Sequence, residues 1–230
     1  MEVLMKFFLY LHIGSGMLAL VMAPVAMVVR KGGDRHKRWG RLYFWSMTVV
    51  VATALIISIY KFIPFLLMIA VFSYYSVLSG YRAIYHKQLH LGKGITKLDW
   101  IALVINGIFN LCFIIWGGYQ AISGFQGFFA YLAIGFGLAG LNASYSNLKS
   151  FISAPKDKNL WLFSHISGMM AGYIATLTAF SATVLNFIPD LVAWLWPTAI
   201  GSLFIGYWIR RYRKLLSQGK KPKEVLILDS

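Results

Sequence analysis

The stretch that decides the fold is residues 100–148, WIALVINGIFNLCFIIWGGYQAISGFQGFFAYLAIGFGLAGLNASYSNL, in which no residue carries a charge. A helix needs about 20 apolar residues to span a bilayer, so this stretch has room for two spans. Its middle, residues 117–127, clusters glycine and glutamine, a composition typical of a turn. The stretch therefore predicts two membrane-spanning helices, at 98–118 and 127–147, joined by a short turn.

The rest of the chain extends this pattern to seven spans. Five further charge-free stretches have room for one helix each, and they predict spans at 5–29, 42–60, 63–83, 158–187 and 191–210. Their apolar runs are continuous rather than alternating, which argues against a membrane β-barrel. We predict an all-α, polytopic membrane protein. Residues 1–211 would form a single seven-helix transmembrane domain, and residues 212–230 a short basic cytoplasmic tail.

The composition excludes other classes of protein. Hydrophobic residues make up 59% of the 230 residues and charged residues only 13%, whereas a soluble domain is about half apolar and one quarter charged. Disorder requires low hydrophobicity, so it is excluded as well. The single cysteine, Cys112, excludes a disulfide-stapled secreted scaffold.

Lysine and arginine predict the orientation of the spans. Of the 22 basic residues, all but Lys6 and Lys61 fall in segments 30–41, 82–97, 149–158 and the tail from residue 210. These segments lie on one side of a seven-span bundle, and the positive-inside rule assigns that side to the cytoplasm. The N-terminus is then outside and the C-terminus inside. The net charge of +15 predicts attraction to anionic lipid headgroups on the cytoplasmic side. We expect no nucleic-acid partner, because no such motif accompanies the charges.

Local signals place individual residues on the helices. Thr96 and Asp99 have the spacing of a capping box ahead of the fourth span. Pro155 suits the start of the sixth helix, and prolines inside the first and seventh spans predict kinks. Asn106 and Asn110 are four residues apart near mid-membrane, so we expect both to face the interior of the bundle.

Histidines carry the candidate chemistry, because no Asp, Glu, Lys or Arg lies well inside a span. An ion-coupled carrier built on an acidic relay is therefore disfavoured. The rise per residue along a helix gives the depth of each polar residue in the membrane, and one set of polar residues falls at the cytoplasmic boundary. This predicts an inner polar cavity lined by His36, Asp99, Asn142, Tyr145 and His165. These residues either form ordinary interhelical hydrogen bonds or bind a ligand. In the second case His36 and His165 would hold a divalent metal or haem, with Asp99 and Asn142 orienting them.

The three remaining histidines are weaker candidates. His12, near the outer end of the first span, either hydrogen bonds between helices or serves as a ligand or proton relay. His86 and His90 have the i, i+4 spacing that could chelate a metal on a helix. A glycine-containing segment follows them, however, and favours a solvated basic loop.

Several motifs resemble those of a bacterial family of uncharacterised integral membrane proteins. They are Leu11-His12-Ile13-x-x-Gly16, the run from Lys31 to Tyr43 (KGGDRHKRWGRLY), Ser79-Gly80-Tyr81-Arg82-Ala83, Leu98-Asp99-Trp100, the run from His165 to Phe180, Pro197-Thr198-x-x-Gly201 and the run from Tyr207 to Tyr212. The likeness covers nearly the whole chain. It implies a bacterial inner-membrane protein without an assigned substrate. It adds weight to His12, His36, Asp99 and His165, whereas His86 and His90 lie outside its motifs.

These observations leave three classes of function open. The leading hypothesis is a membrane-embedded binding or sensing module, and a bound metal would extend it to hydrolysis by metal-activated water. The second class is transport of a small neutral or hydrophobic solute. The third is a structural or assembly subunit without a ligand. Whether the protein is an enzyme is left open.

Overall fold

The computed structural model describes residues 1–124, 127–220 and 222–227, and within these ranges it contains helices and no strands. The helices are α1 (Glu2–Val28), α2 (Asp34–Tyr60), α3 (Pro64–Arg82), α4 (Lys97–Ile122), α5 (Gly127–Ile152), α6 (Leu160–Val184), α7 (Asp190–Ser217) and α8 (Pro222–Ile227). Seven of them, α1 to α7, are long and apolar enough to cross a membrane. Within the described residues, the predicted all-α class is confirmed, and so are seven helices of sufficient length and apolarity to span a membrane.

Several helix ends differ from the sequence-based boundaries. α2 begins at Asp34 and α7 continues to Ser217, so basic residues predicted to flank the spans are helical. The charge pattern marks where the apolar surface ends, and a helix can continue beyond it into water. α6 begins at Leu160, five residues after Pro155. The predicted turn in residues 117–127 is shorter than expected, because α4 extends through Ile122; residues 125 and 126 lie outside the described residues.

The chain divides into two compact units. Met1–Thr53 and Ile166–Ser230 form the first unit, and Ala54–His165 form the second. The single transmembrane domain predicted for residues 1–211 stays a prediction. In the predicted tail, α7 extends past residue 212 and α8 follows it, while residues 221 and 228–230 lie outside the described residues.

The first unit buries polar groups of α2, α6 and α7 among small and aromatic side chains. Trp196 Nε1 donates a hydrogen bond to the fully buried Ser181 Oγ at 2.8 Å. Thr176 Oγ1 contacts Met47 Sδ at 3.2 Å. Pro24 and Pro197 lie inside α1 and α7, and neither proline ends its helix.

In the second unit, α4 and α5 form a tight hairpin built on amides and glycines. Asn106 Nδ2 donates to Gly140 O at 3.1 Å and to Ser144 Oγ at 2.8 Å. Asn110 Nδ2 donates to Asn106 Oδ1 at 2.8 Å. Both asparagines are 1% exposed, which confirms that they face inward. The helices approach so closely that a Cβ on Gly140 would overlap the Asn110 side-chain amide.

Cys112 lies on the opposite, exposed face of α4. That face also carries exposed aliphatic side chains, among them Ile105, Ile108 and Ile115. α4 therefore presents one polar, buried face to α5 and one apolar face to its surroundings, as expected for a helix at the edge of a membrane bundle.

Candidate binding site

The second unit holds a buried ion pair where α3 ends and α4 begins. Arg82, in the last turn of α3, donates from Nε to Asp99 Oδ1 and from Nη2 to Asp99 Oδ2, both at 2.8 Å. The Asp99 side chain is 3% exposed and the Arg82 side chain 16% exposed. Two parallel charge-assisted bonds of this kind compensate the desolvation of both groups and fix their relative orientation.

Asp99 also caps α4. Its Oδ2 accepts hydrogen bonds from the Thr96 backbone N–H and from Thr96 Oγ1, each at 2.8 Å. The predicted capping box is therefore confirmed. A carboxylate in the first helical turn is also favoured by the positive end of the helix dipole. Asp99 thus anchors the start of α4 and, through Arg82, the end of α3.

The segment between α3 and α4 folds back over this pair and buries His86. It consists of two short 3₁₀ turns, Ala83–Tyr85 and Leu89–Leu91. Gly94 has φ of 101°, and a Cβ there would stand 2.8 Å from the Tyr85 carbonyl oxygen, so glycine permits the close approach. His86 is left only 7% exposed, with its ring edge against Phe151.

One nitrogen of the buried His86 ring lies beside the Asp99 carboxylate without reaching good hydrogen-bond geometry. Nε2 lies 3.4 Å from Asp99 Oδ2, and it makes no hydrogen bond with any residue that the structure describes. A buried polar atom without a partner costs about 1–3 kcal/mol. Such an atom points to a water molecule or a ligand beside it.

A cavity of about 30 Å³ adjoins the ion pair and His86. A water molecule requires about 10–15 Å³ on this measure, so the cavity has room for about two waters. Its polar lining consists of Tyr75, Ser79, Arg82, His86, Asp99, Asn147, Ser150 and Ser164. Asn147 Nδ2 donates to Tyr75 OH at 2.7 Å on the α5 side.

The chemistry of this lining favours hydrogen bonding to a neutral group. The charges of Arg82 and Asp99 offset each other, and the remaining polar groups are hydroxyl, amide and imidazole. The guanidinium occupies both carboxylate oxygens, which disfavours a metal cation at Asp99. No protein-family model, curated protein or solved structure matches this chain.

Of the residues predicted to line an inner cavity, the structure places Asp99 in this one. Asn142 and Tyr145 lie on the exposed face of α5, and Tyr145 is 62% exposed. Counting from the helix end addresses only their depth and contains no information about their direction around the helix axis. The buried row of α5 runs through Gly137, Gly140 and Ser144, and Asn142 falls about 200° around the axis from Gly140.

The histidines predicted as ligands are each bonded to a backbone carbonyl within their own unit. His165 Nδ1 lies 2.8 Å from Gly80 O in the second unit, and His36 Nδ1 lies 2.9 Å from Ala26 O in the first. His165 does not line the described cavity. No group of three or more His, Cys, Asp or Glu that could hold a metal ion occurs within the described ranges.

His12 links α1 to α2, as one of its two interpretations predicts. Its Nδ1 lies 3.0 Å from Val50 O and 3.1 Å from Thr53 Oγ1. His86 and His90 do not share a helical face, because His86 follows the first 3₁₀ turn in the non-helical residues 86–88, whereas His90 lies in the second turn. The segment is a loop, as the glycines indicate, but burial of His86 makes it less solvated than expected.

Sequence reasoning missed Arg82 as a site residue, and it considered His86 only as a weak metal ligand beside His90. A usable signal existed for Arg82: it closes one span, Asp99 opens the next, and the short connection keeps both at the same membrane boundary. No such signal existed for His86, because its burial depends on the loop folding back at Gly94. Hydropathy contains no information about that contact.

Proposed function

We propose that this protein is a multi-pass membrane protein that serves as a binding or sensing module for a small neutral polar group. The site is the cavity formed by Arg82, His86 and Asp99, and the group is a hydroxyl, carbonyl or amide, either alone or at the end of a larger molecule. The observation that carries the proposal is the buried His86 Nε2 without a hydrogen-bond partner among the described residues. A ligand that supplies this partner gains the interaction that the protein leaves unmade.

The size and charge of the cavity restrict the ligand. A volume of about 30 Å³ admits a polar group of a few atoms and excludes a haem from this position. The Arg82–Asp99 pair leaves little net charge, so an ion would lose its hydration shell without an opposite charge to replace it. In the empty state two waters would fill the space and be displaced by the ligand.

We also propose the bacterial inner membrane as the location, with the N-terminus outside and the C-terminus in the cytoplasm. The concentration of lysine and arginine at alternate helix ends supports this orientation. The ion pair and the loop that carries His86 then lie at the cytoplasmic boundary. A ligand would enter from the cytoplasm or from the inner leaflet.

Substituting His86 tests the proposal. We expect native mass spectrometry of wild-type protein, released from lipid nanodiscs, to show a bound small molecule that is absent from His86→Phe. In His86→Phe, the new side chain fills a similar volume but offers no ring nitrogen. In His86→Gln, the new side chain keeps a hydrogen-bonding group, so this variant is expected to retain part of the binding. His90→Phe is the matched control, because His90 lies in the same loop and does not line the cavity. Equal occupancy in His86→Phe and wild type would count against the site.

A second candidate function is binding of a metal or haem at His36 or at His165, each within its own unit, and one observation favours it. In both residues Nδ1 is hydrogen bonded to a backbone carbonyl, which places the ring proton on Nδ1 and leaves Nε2 as the basic nitrogen. Metal-binding histidines generally have their other ring nitrogen held in this way. Iron at such a site would indicate haem or electron transfer, and zinc would indicate hydrolysis.

Elemental analysis by mass spectrometry tests this second candidate. If either histidine holds an ion, near-stoichiometric metal in the purified wild type should fall in the alanine variant of that histidine, His36→Ala or His165→Ala, and stay unchanged in His90→Ala. Metal content that is the same in all four proteins, or absent from all, would exclude it. The cavity proposal does not depend on this result, since its site contains neither histidine.

A further inference from the structure

The last turns of α7 form a basic groove on the surface of the first unit. Its lining is Tyr207, Arg210, Arg211, Lys214, Leu215 and Gln218, and its volume is about 520 Å³. We propose that this basic groove binds the phosphate of an anionic phospholipid. The inference is independent of the cavity in the second unit, because it rests on different residues.

The length of α7 places the groove at headgroup level. The helix has 28 residues, and at 1.5 Å per residue it is about 42 Å long. The hydrocarbon core is about 30 Å thick, and the charge-free part of the helix, residues 191–209, is long enough to cross it. Residues from Arg210 onward therefore lie in the headgroup layer.

Aromatic side chains lie at the same membrane interface, next to these cations along α7. The Trp208 ring packs against Phe204 and Tyr212, with ring centroids 6.0 and 5.4 Å away. The Lys31 ammonium lies 5.4 Å from the Trp208 ring centroid and the Arg211 guanidinium 5.8 Å. Tryptophan and tyrosine prefer the membrane interface, so this cluster holds the groove at a fixed depth.

The charges of the groove are arranged to receive an anion. Arg211 Nη1 donates to Tyr207 OH at 3.2 Å, which fixes that side chain on the groove wall. Arg210 leans back over Gly206, with Nη2 3.5 Å from the position that a Cβ would take. Lys214 follows one turn after Arg210, and no acidic side chain lines the groove within the described part of the chain.

The sum of these charges makes the electrostatic potential in the basic groove positive. The C-terminal end of a helix carries about half a negative charge, which disfavours an anion by itself. Three cations outweigh it several-fold. Guanidinium and ammonium groups provide the charge-assisted hydrogen bonds that phosphate oxygens accept. Tyr207 and Leu215, which line the groove, offer apolar surface to the glycerol and upper acyl chain, which a free phosphate lacks.

The test is a binding titration of the full chain in a neutral detergent. The probe is dioctanoyl phosphatidylglycerol, and the dissociation constant is measured by native mass spectrometry. Arg210→Gln combined with Lys214→Gln should weaken binding by about tenfold or more. Both side chains are exposed, so the variant keeps its fold, which its thermal unfolding temperature verifies. Dioctanoyl phosphatidylcholine, whose phosphate is neutralised by its own choline, should bind weakly to both proteins.

The matched control removes the same charge elsewhere. Lys156 and Lys158 are exposed in the α5–α6 connection, and Lys156→Gln combined with Lys158→Gln should leave the dissociation constant within about twofold of wild type. Equal weakening in both double variants would show that diffuse positive charge, and not the groove, attracts the lipid, and it would overturn the proposal. So would unchanged binding in the groove variant. Inorganic phosphate that binds as tightly as the lipid, with the same dependence on Arg210 and Lys214, would overturn the assignment to a lipid.

Discussion

Asp99→Asn is expected to lower the free energy of unfolding by about 3–5 kcal/mol, the usual cost of removing one partner of a buried ion pair. The substitution leaves the Arg82 guanidinium largely buried without a counter-charge. It also weakens the cap on α4, because the charged acceptor of the Thr96 N–H is lost. The measurement is equilibrium unfolding of the detergent-solubilised protein.

Asp34→Asn provides a matched control for this prediction. Asp34 also lies in the first turn of a spanning helix and pairs with Lys37 at 3.2 Å. The side chains of that pair are 101% and 61% exposed, so its loss should cost less than about 1 kcal/mol. Similar costs for the two substitutions would mean that the Arg82–Asp99 pair is solvated and does not organise the end of the cavity.

The double variant Arg82→Gln with Asp99→Asn distinguishes the energy of the interaction between the two side chains from the cost of burying one charge without its partner. Without the guanidinium, the neutral asparagine no longer faces an unpaired charge. We therefore expect the double variant to be more stable than the sum of the two single losses predicts. Strict additivity would contradict a direct interaction between the two side chains.

Gly140→Ala is expected to destabilise the protein by about 1–3 kcal/mol, because the new methyl group overlaps the Asn110 amide. Neither partner can move easily. Asn110 is 1% exposed and is held by its bonds to Asn106, while Gly140 accepts a hydrogen bond from Asn106. The substitution would separate α4 from α5 and disturb all of these bonds together.

Gly135→Ala on the same helix is expected to stabilise the protein instead of destabilising it. A Cβ at Gly135 would meet no atom within 4 Å, and alanine is favoured over glycine inside a helix by about 0.5–1 kcal/mol. Unfolding of both variants in the same detergent compares the two effects directly. If Gly140→Ala matched Gly135→Ala in stability, the close approach of α4 and α5 at this point would be disproved.

The sequence predicts most of the fold because the membrane imposes simple rules. The charge-free run of residues 100–148 and its glycine cluster were sufficient to predict the α4–α5 hairpin, and the spacing of Thr96 and Asp99 predicted the cap. The inward direction of Asn106 and Asn110 followed from the cost of an amide in lipid. Each of these inferences uses local composition or spacing.

The candidate site was predicted only in part, because it depends on information that composition lacks. Asp99 was identified, but Asn142 and Tyr145 were assigned by depth alone and lie on the exposed face of α5. The partners of Asp99 come from the preceding helix and from a loop that turns at two glycines with positive φ, Gly92 and Gly94. Direction around a helix and closure of a loop are tertiary properties.

The hydrogen bonds of the asparagine side chains in the α4–α5 hairpin also affect how the chain would enter a bilayer during synthesis. A lone α4 would expose the Asn106 amide to acyl chains without its acceptors on α5, at a cost of several kcal/mol for an unsatisfied group. Once α5 lies beside it, the Asn106 amide is bonded to Gly140 and Ser144. In the proposed orientation the connection between the two helices is translocated, and because it carries no charge this step is inexpensive. If α4 and α5 span the membrane as proposed, we expect them to leave the translocon as a pair, and we expect a substitution at Gly140 to impair membrane insertion before it impairs any finished site.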